Sequence, residues 1–195
     1  MKKKKKVVAI ITARLNSSRL KYKHILKVNN KYMISYLIER LKSITSFDEI
    51  IIATTNNKID DKFENIAKKH KIKIFRGSEE NVKLRVLQAA KKFSADVICN
   101  VTGDCPIIDP ILIDQMLNIF NKNQNLDMVY YGCFKNYGLP NGMDSCIYTY
   151  LALKKSYKMT KKKDEFEHIT LHMLRNKKFF RSIFLHPPKN INFPN

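Results

Sequence analysis

A group of cationic and hydroxyl side chains follows the first apolar stretch of the sequence. It begins at Ala13 and contains Arg14, Ser17, Arg19 and Lys23. Arginine offers a planar fork that matches phosphate oxygens, lysine supplies a mobile charge, and hydroxyl and backbone N–H groups can complete a cradle. The segment is therefore a candidate site for a triphosphate. A solvated basic loop, common in a lysine-rich chain, is an equally good interpretation of the spacing alone.

The second candidate for chemistry is the carboxylate of Asp104, within the sequence TGDCP at residues 102–106. The neighbouring Gly103 permits close approach of the backbone to a ligand. A carboxylate at this point suits Mg²⁺, which takes one or two of them and completes its shell with water and phosphate. An aspartate that caps a turn is the commoner use of this residue, and the spacing alone favours it.

Two histidines, His168 and His172, have the i, i+4 spacing that can bind zinc on a helix. The glutamate of an H-E-x-x-H motif is absent, and the sequence offers no evident third ligand. We therefore prefer an interpretation in which His168 faces a pocket and His172 lies on the surface.

The elements that must position these residues alternate between strands and helices. Short apolar runs rich in β-branched residues predict buried strands at residues 6–13, 48–55, 72–75 and 96–101. Apolar residues at helical spacing predict helices at residues 33–44, 59–70, 82–93, 110–120 and 164–175. Further strands are predicted at residues 127–134, 145–150 and 179–185, with a turn-rich loop at 135–144 as the rim of a pocket.

The alternation of strands and helices predicts an α/β protein with three layers and a mainly parallel mixed sheet. Ligands collect at the carboxyl ends of such strands, where both candidate loops begin.

Length and composition limit the class of protein. A chain of 195 residues with 44% hydrophobic residues suits one core, so we expect a basic tail at residues 1–6 and a single domain at 7–195. No apolar run reaches the ~18 residues of a membrane helix, and the start of the chain lacks a signal-peptide pattern. The cysteines Cys99, Cys105, Cys133 and Cys146 show no C-x-x-C spacing, which favours reduced thiols. We expect a soluble, cytoplasmic protein with no membrane partner.

The formal net charge of +20 suggests a polyanionic partner. The cations are mostly lysines spread along the whole chain, however, and the sequence carries no signature of a nucleic-acid-binding module. Nucleic acid is therefore not expected as the main partner. The sequence leaves a homodimer open.

Several motifs, in order along the chain, resemble one enzyme family. They are A-R-x-x-S-x-R-L-x-x-K at residues 13–23, IIIATT at 50–55, FRGSEE at 75–80, TGDCPIIDP at 102–110, PNGMD at 140–144 and EHIT at 167–170. Together they resemble the SpsF-type spore coat polysaccharide cytidylyltransferases, relatives of the enzymes that activate sialic acid and Kdo. The likeness extends from about residue 7 to the end of the chain.

The resemblance implies a Rossmann-like nucleotide-diphospho-sugar transferase fold. It also implies an Mg²⁺-dependent enzyme of surface polysaccharide or glycan biosynthesis, which transfers CMP from CTP to an acidic sugar and releases pyrophosphate. The residues that it assigns to the CTP phosphates, as catalytic or binding groups, are Ala13, Arg14, Ser17, Arg19 and Lys23. Those that it assigns to the base and ribose are Arg76, Gly77, Ser78 and Arg85. It places Asp104 on catalytic Mg²⁺, and Asp144, Glu167 and His168 next to the acceptor.

The sequence departs from the family pattern in two places. Lys21 and Tyr22 stand where the family has Pro and Gly, so the course of the first loop is expected to differ. The family also has a second metal-binding aspartate in a V-D-T-x-x-D-like segment near the C-terminus, and the sequence ends at Asn195 without one. We therefore expect the domain to lack that segment. Two alternatives follow: a nucleotidyltransferase with another NTP or a phosphorylated or phosphonate acceptor, or a truncated domain that binds nucleotide without turnover.

Overall fold

Strands and helices alternate along the chain in the computed structural model, which describes residues 4–17, 20–131, 139–140 and 142–186. The strands of the main sheet are β1 (Val7–Thr12), β4 (Glu49–Thr55), β5 (Lys73–Gly77), β6 (Val97–Thr102), β7 (Met128–Tyr131), β8 (Ser145–Thr149) and β9 (Ser182–Leu185). A small hairpin is formed by β2 (Lys27–Val28) and β3 (Lys31–Tyr32). The α-helices are α1 (Met33–Lys42), α2 (Lys62–Lys69), α3 (Val82–Lys92), α4 (Pro110–Lys122), α5 (Tyr150–Met159), α6 (Lys163–Glu167) and α7 (Leu171–Arg175). Short 3-10 helices occupy Lys23–Ile25, Lys58–Asp61 and Lys177–Phe179.

The main sheet has seven strands in the order β5-β4-β1-β6-β8-β7-β9. Neighbouring strands are parallel except around β8, which pairs antiparallel with both β6 and β7. The predicted mainly parallel mixed sheet is therefore confirmed. Its carboxyl edge collects the loops that follow β1, β4, β5 and β6, together with the residues that enter β8.

The sheet is buried on both faces, which explains the uninterrupted apolar runs of its central strands. In β1, Ala9 and Ile11 pack into a core with α1, α2 and α4, whereas Val8 and Ile10 pack into a second core with α3, α5 and α7. Both cores together give the three layers that the sequence predicts. Among the described residues, no helix combines the length and the apolar character needed to cross a bilayer.

The structure differs from the predicted elements in four places. Helix α5 was not predicted; it starts at Tyr150, where a strand was expected to end, and Thr149 caps it by accepting a hydrogen bond from the N–H of Ala152 at 2.9 Å. The hairpin of β2 and β3 was also missed, although Asn29 and Asn30, both with positive φ, are typical of its turn. The last predicted strand begins at Ser182, three residues later than expected.

The fourth difference concerns the helix predicted at residues 164–175, which is broken in two. Helix α6 ends at Glu167, and His168 is extended, with φ −94° and ψ 93°. Helix α7 then begins at Leu171. The apolar spacing continues across the break, because Ile169 and Met173 both enter the second core, and the pattern therefore resembles one helix.

A buried aspartate fixes the loop that follows β1. Asp60 is only 1% exposed, and its Oδ1 accepts a hydrogen bond from the N–H of Leu15 at 2.8 Å. Its Oδ2 accepts a hydrogen bond from the hydroxyl of Thr55, at the end of β4. The first loop is therefore tied to the neighbouring strand as well as to its own.

We predict that Asp60→Ala lowers the free energy of unfolding by about 1–3 kcal/mol for each buried donor left without an acceptor. Chemical denaturation at neutral pH measures this loss. Asp114→Ala is the matched control, because among the described residues Asp114 accepts a single hydrogen bond, from Ser46 at the surface. Equal losses in the two variants would contradict the assignment of Asp60 as the residue that holds the loop.

Candidate functional site

Two cavities open at the carboxyl edge of the sheet. The smaller has a volume of about 210 Å³ and the larger about 650 Å³. Both cavities are lined by Thr12, Val82, Thr102, Asp104, Glu167 and His168. Because these residues form a shared wall, a molecule in one cavity would lie beside a molecule in the other.

The smaller cavity gathers residues of the first loop. Its lining includes Ala13, Arg14, Ser17 and Lys23, together with Arg85 from α3. The structure thus brings together the described members of the predicted phosphate cluster. Arg19, the remaining member, lies outside the described residues.

Two guanidinium groups converge in this cavity. Nη1 of Arg14 and Nη1 of Arg85 each donate to the carbonyl oxygen of Glu79 at 3.5 Å, and Arg85 also donates to that of Ser78 at 2.5 Å. Arg85 is only 2% exposed, and among the described residues its Nε has no hydrogen-bond partner. Burial, reinforced by the charge of Arg14, lowers the pKa of Arg85 to about 10. An anion placed between the two groups would relieve this repulsion.

Asp104 is held by the first loop. Its Oδ2 accepts a hydrogen bond from the ammonium of Lys23. Burial alone would raise the pKa of Asp104, but the hydrogen bond and charge of Lys23, with a further hydrogen bond from Thr102, lower it overall. Asp104 is therefore a carboxylate at neutral pH, in the wall that both cavities share.

The backbone of Gly103 allows the two loops to approach this closely. Its N–H donates to the carbonyl oxygen of Thr12 at 2.8 Å. A Cβ at this position would lie 3.0 Å from the Cβ of Ala13 and 3.0 Å from Nδ1 of His24. His24 is 3% exposed, and burial lowers its pKa, so its ring is neutral. The sequence analysis missed His24, because nothing in the sequence shows that it packs under the loop.

The larger cavity contains the predicted acceptor residues. Asp144, Glu167 and His168 all line it. Oδ1 of Asp144 lies 3.9 Å from the sulfur of Cys105, which is 2.8 Å from the hydroxyl oxygen of Thr102. The structure thus places residues from three separate motifs around one cavity.

Further polar residues of this cavity were not singled out in the sequence. They are Asn100, Tyr130, Tyr131, Ser145 and Thr170. Asn100 could have been recognised from the sequence, because it is a polar amide within the apolar strand β6. In the structure its Nδ2 donates to the carbonyl oxygen of Ile10 at 3.1 Å. The others could not be recognised because their directions depend on how β7, β8 and the α6–α7 turn pack.

Arg76 makes contacts other than those expected of a nucleotide-binding residue. Its Nη1 pairs with Asp61 at 2.5 Å and with Glu64 at 2.7 Å, and its Nε donates to the carbonyl oxygen of Thr55 at 3.0 Å. The hydrogen bonds to Glu64 and Asp61 raise the pKa of Arg76. With Gly77 and Ser78, it lines a third, more open cavity of about 690 Å³ beside α3. This segment adjoins the smaller cavity, because the carbonyl oxygen of Ser78 accepts a hydrogen bond from Arg85, but Arg76, Gly77 and Ser78 do not line that cavity.

The expectation that His172 lies on the surface is wrong. His172 is 4% exposed, and its Nδ1 lies 3.2 Å from the hydroxyl of Ser156. The break between α6 and α7 removes the i, i+4 relation to His168 that a zinc site on one helix requires. Within the described ranges, no group of three or more His, Cys, Asp or Glu side chains is placed to hold a metal ion.

Comparison with known proteins identifies relatives along most of the chain. The family model described as Cytidylyltransferase matches residues 8–187. The spore coat polysaccharide biosynthesis protein SpsF of Bacillus subtilis is 28% identical over 96% of this chain and 78% of its own length. A 3-deoxy-manno-octulosonate cytidylyltransferase of Geotalea daltonii is 30% identical over 63% of this chain and 48% of its own length.

A solved structure shows the same architecture. The structure of a cytidylyltransferase from Leptospira borgpetersenii superposes with a TM-score of 0.90 at 33% sequence identity. The match covers 98% of this chain and 79% of that one. The nucleotidyltransferase fold implied by the motifs is thereby confirmed.

We predict that Arg14→Ala weakens the binding of CTP by ~1.5–3 kcal/mol, the range for charge-assisted hydrogen bonds. The melting temperature of the ligand-free protein should not fall, because Arg14 makes a long hydrogen bond of 3.5 Å and repels Arg85. Calorimetric titration and thermal unfolding measure the two effects. Arg181→Ala, at an exposed position beside β9, is the control. An unchanged dissociation constant in Arg14→Ala would make this segment a solvated basic loop.

Proposed function

The chain belongs to the cytidylyltransferase family, and we propose that its two cavities hold CTP and an acidic sugar while CMP passes between them. In this reaction a hydroxyl oxygen of the acceptor attacks the α-phosphorus of CTP, and the bond to the leaving pyrophosphate breaks. The observation that carries the proposal is the shared wall at Asp104. It lies between a cavity lined by cations and a cavity lined by hydrogen-bonding side chains.

The smaller cavity suits the triphosphate. Attack on phosphorus builds negative charge on the phosphate oxygens and on pyrophosphate, so cations held in place stabilise the transition state. Arg14, Lys23 and Arg85 supply that charge, and the hydroxyl of Ser17 lines the same cavity. We propose the same role for Arg19, by its place in the motif.

Asp104 has the properties required to hold Mg²⁺. It is ionised, it lies next to the phosphate cavity, and a second carboxylate, Asp144, lines the larger cavity with it. One or two carboxylates are the usual protein share of a magnesium shell. When bound, Mg²⁺ would supply further positive charge at the phosphate oxygens. Lys23 keeps Asp104 charged and oriented before nucleotide arrives.

The larger cavity suits a polyhydroxylated acceptor. Hydroxyl, amide and carboxylate groups line it, and they can donate to and accept from sugar hydroxyls. Support for an acidic sugar comes from the Geotalea daltonii relative, which is named for 3-deoxy-manno-octulosonate. Similarity to SpsF supports a role in the biosynthesis of a surface polysaccharide or glycan.

A second candidate acceptor is an acidic sugar that also carries an amino group. Among the described residues, the lining of the larger cavity includes the carboxylates of Asp104, Asp144 and Glu167 but neither lysine nor arginine. Carboxylates bind an ammonium group by charge-assisted hydrogen bonds. This arrangement favours an acidic sugar that bears an amino group over one that bears only negative charge.

Pyrophosphate release tests these proposals. The protein is incubated with each of the four NTPs, Mg²⁺ and a panel of keto-acid sugars with and without an amino group. We expect release that requires both CTP and an acceptor. Equal release with another NTP would overturn the preference for CTP. Tight CTP binding without release for any acceptor would favour a nucleotide-binding domain without turnover.

We predict that Asp104→Asn abolishes metal-dependent pyrophosphate release and leaves the fold and metal-independent CTP binding intact. A half-exposed loop carboxylate contributes charge to a metal rather than packing to a core. Asp109→Asn is the matched control, because Asp109 caps α4 outside both cavities and asparagine caps helices equally well. Full activity of Asp104→Asn would remove the metal assignment.

A further inference from the structure

A buried polar cluster joins three helices behind the site. Lys83, on α3, is 0% exposed, and its ammonium donates to Oγ1 of Thr160 at 2.8 Å and to Oγ of Ser156 at 3.2 Å. Oγ of Ser156 lies 3.2 Å from Nδ1 of His172 on α7. Lys83 therefore connects α3 to the end of α5 and, through Ser156, to α7.

The protons of this cluster can be assigned from its donors and acceptors. The hydroxyl of Thr160 donates to the carbonyl oxygen of Ser156 at 2.8 Å, so its oxygen accepts from Lys83. Ser156 also accepts from Lys83, which leaves its own proton for Nδ1 of His172. Burial, together with the charge of Lys83, lowers the pKa of His172 and keeps its ring neutral, as an accepting Nδ1 requires.

The ammonium is balanced by a carboxylate on α6. Glu165 is 4% exposed and acts on Lys83 through its opposite charge, while burial lowers the pKa of Lys83 to about 8. The carboxylate of Glu165 also accepts a hydrogen bond from Nη1 of Arg175, on α7, at 3.2 Å. The charged and titratable groups that face Lys83 are thus on α6 and α7, the two helices that flank the turn at residues 168–170.

Stability alone does not account for this arrangement. A buried charge loses its hydration, and replacing a buried ion by an apolar residue of similar volume is often neutral or stabilising. Methionine has nearly the length of lysine and no charge. The cluster fixes a geometry instead, because each hydrogen bond accepts only a narrow range of distances and directions.

The cluster fixes the relative positions of residues that line the two cavities. Val82, next to Lys83, lines both cavities, and Arg85 lines the smaller one. On the other side of the cluster, Glu167 and His168 lie in the shared wall, and Thr170 lies in the larger cavity. The cluster therefore connects the helix that carries Arg85 to the segment that carries Glu167 and His168.

We propose that Lys83 is a positioning residue, whose hydrogen bonds to Thr160 and Ser156 hold residues 167–170 at a fixed separation from Arg85. The acceptor would then be held in line with the α-phosphate of CTP; this step rests on the proposed function. Misplacement by about 1 Å can cost on the order of 100-fold in rate.

The experiment compares Lys83→Met and Thr160→Val with the unchanged protein. In Lys83→Met we expect kcat for CMP transfer to fall by about 10- to 100-fold, the KM of the acceptor to rise and the Kd of CTP to stay unchanged. Thr160→Val should shift the same quantities in the same direction by less. Lys158→Met, an exposed substitution on α5, is the control.

Amide hydrogen exchange supplies a readout that does not require turnover. In Lys83→Met we expect faster exchange at residues 163–175 and unchanged exchange in β1 and β4. Normal kcat with normal exchange would overturn the proposal, as would a loss of CTP affinity equal to the loss of kcat. If Lys83→Met does not fold, the same criteria apply to Thr160→Val. If the unchanged protein transfers CMP to no acceptor, the proposed function fails, whereas exchange still decides the role of Lys83.

Discussion

The parallel pairing of β1 with β6 brings the basic loop and the carboxylate of Asp104 to the same place. The register sets Thr12 opposite Thr102, so the chain leaves both strands side by side at the carboxyl edge. Gly103 then lies against the first loop without a Cβ to separate them, and Lys23 reaches Asp104. The two cavities share a wall because this contact stands between them.

Two of the cations in the smaller cavity, Arg14 and Arg85, form no ion pair with a carboxylate of the described residues. Arg85 is buried near another guanidinium, and both donate to backbone carbonyls rather than to carboxylates. A structure selected only for stability would pair such groups or expose them. Arg76 shows the contrast, since it is paired with two carboxylates and thus has an evident structural use. Guanidinium groups that no described carboxylate pairs with, in a cavity that also holds an ionised aspartate, are the arrangement that a triphosphate would complete.

The sequence predicted the strands and helices whose signal is a local periodicity. It did not predict the features that depend on packing between distant elements. The apolar runs of β1, β4 and β6 predict buried parallel strands, because both faces of each are covered. The loops at the carboxyl ends then follow from topology, and the described residues of the Arg14 and Asp104 motifs do meet there.

The break at His168 could not be predicted, because the apolar spacing continues through it, and the burial of His172 follows from that break. The ion pairs of Arg76 could not be predicted either, because Asp61 and Glu64 come from the neighbouring helix α2 and its preceding turn, a long-range pairing that no local pattern shows.

The first turn of α3 shows how one short segment can serve several parts of the site. Val82 and Arg85 are three residues apart and share a helix face, and both line the smaller cavity. Lys83 is rotated by about 100° from Val82, so it points away from the cavity and into the buried cluster. A helix is stiff over one turn, so Arg85, which lines the smaller cavity, is held at a fixed position relative to Lys83, which bonds to residues at the end of α5. Because α5 contacts α7 through Ser156 and His172, we infer that the helix that carries Arg85 also sets the position of residues 167–170 in the larger cavity.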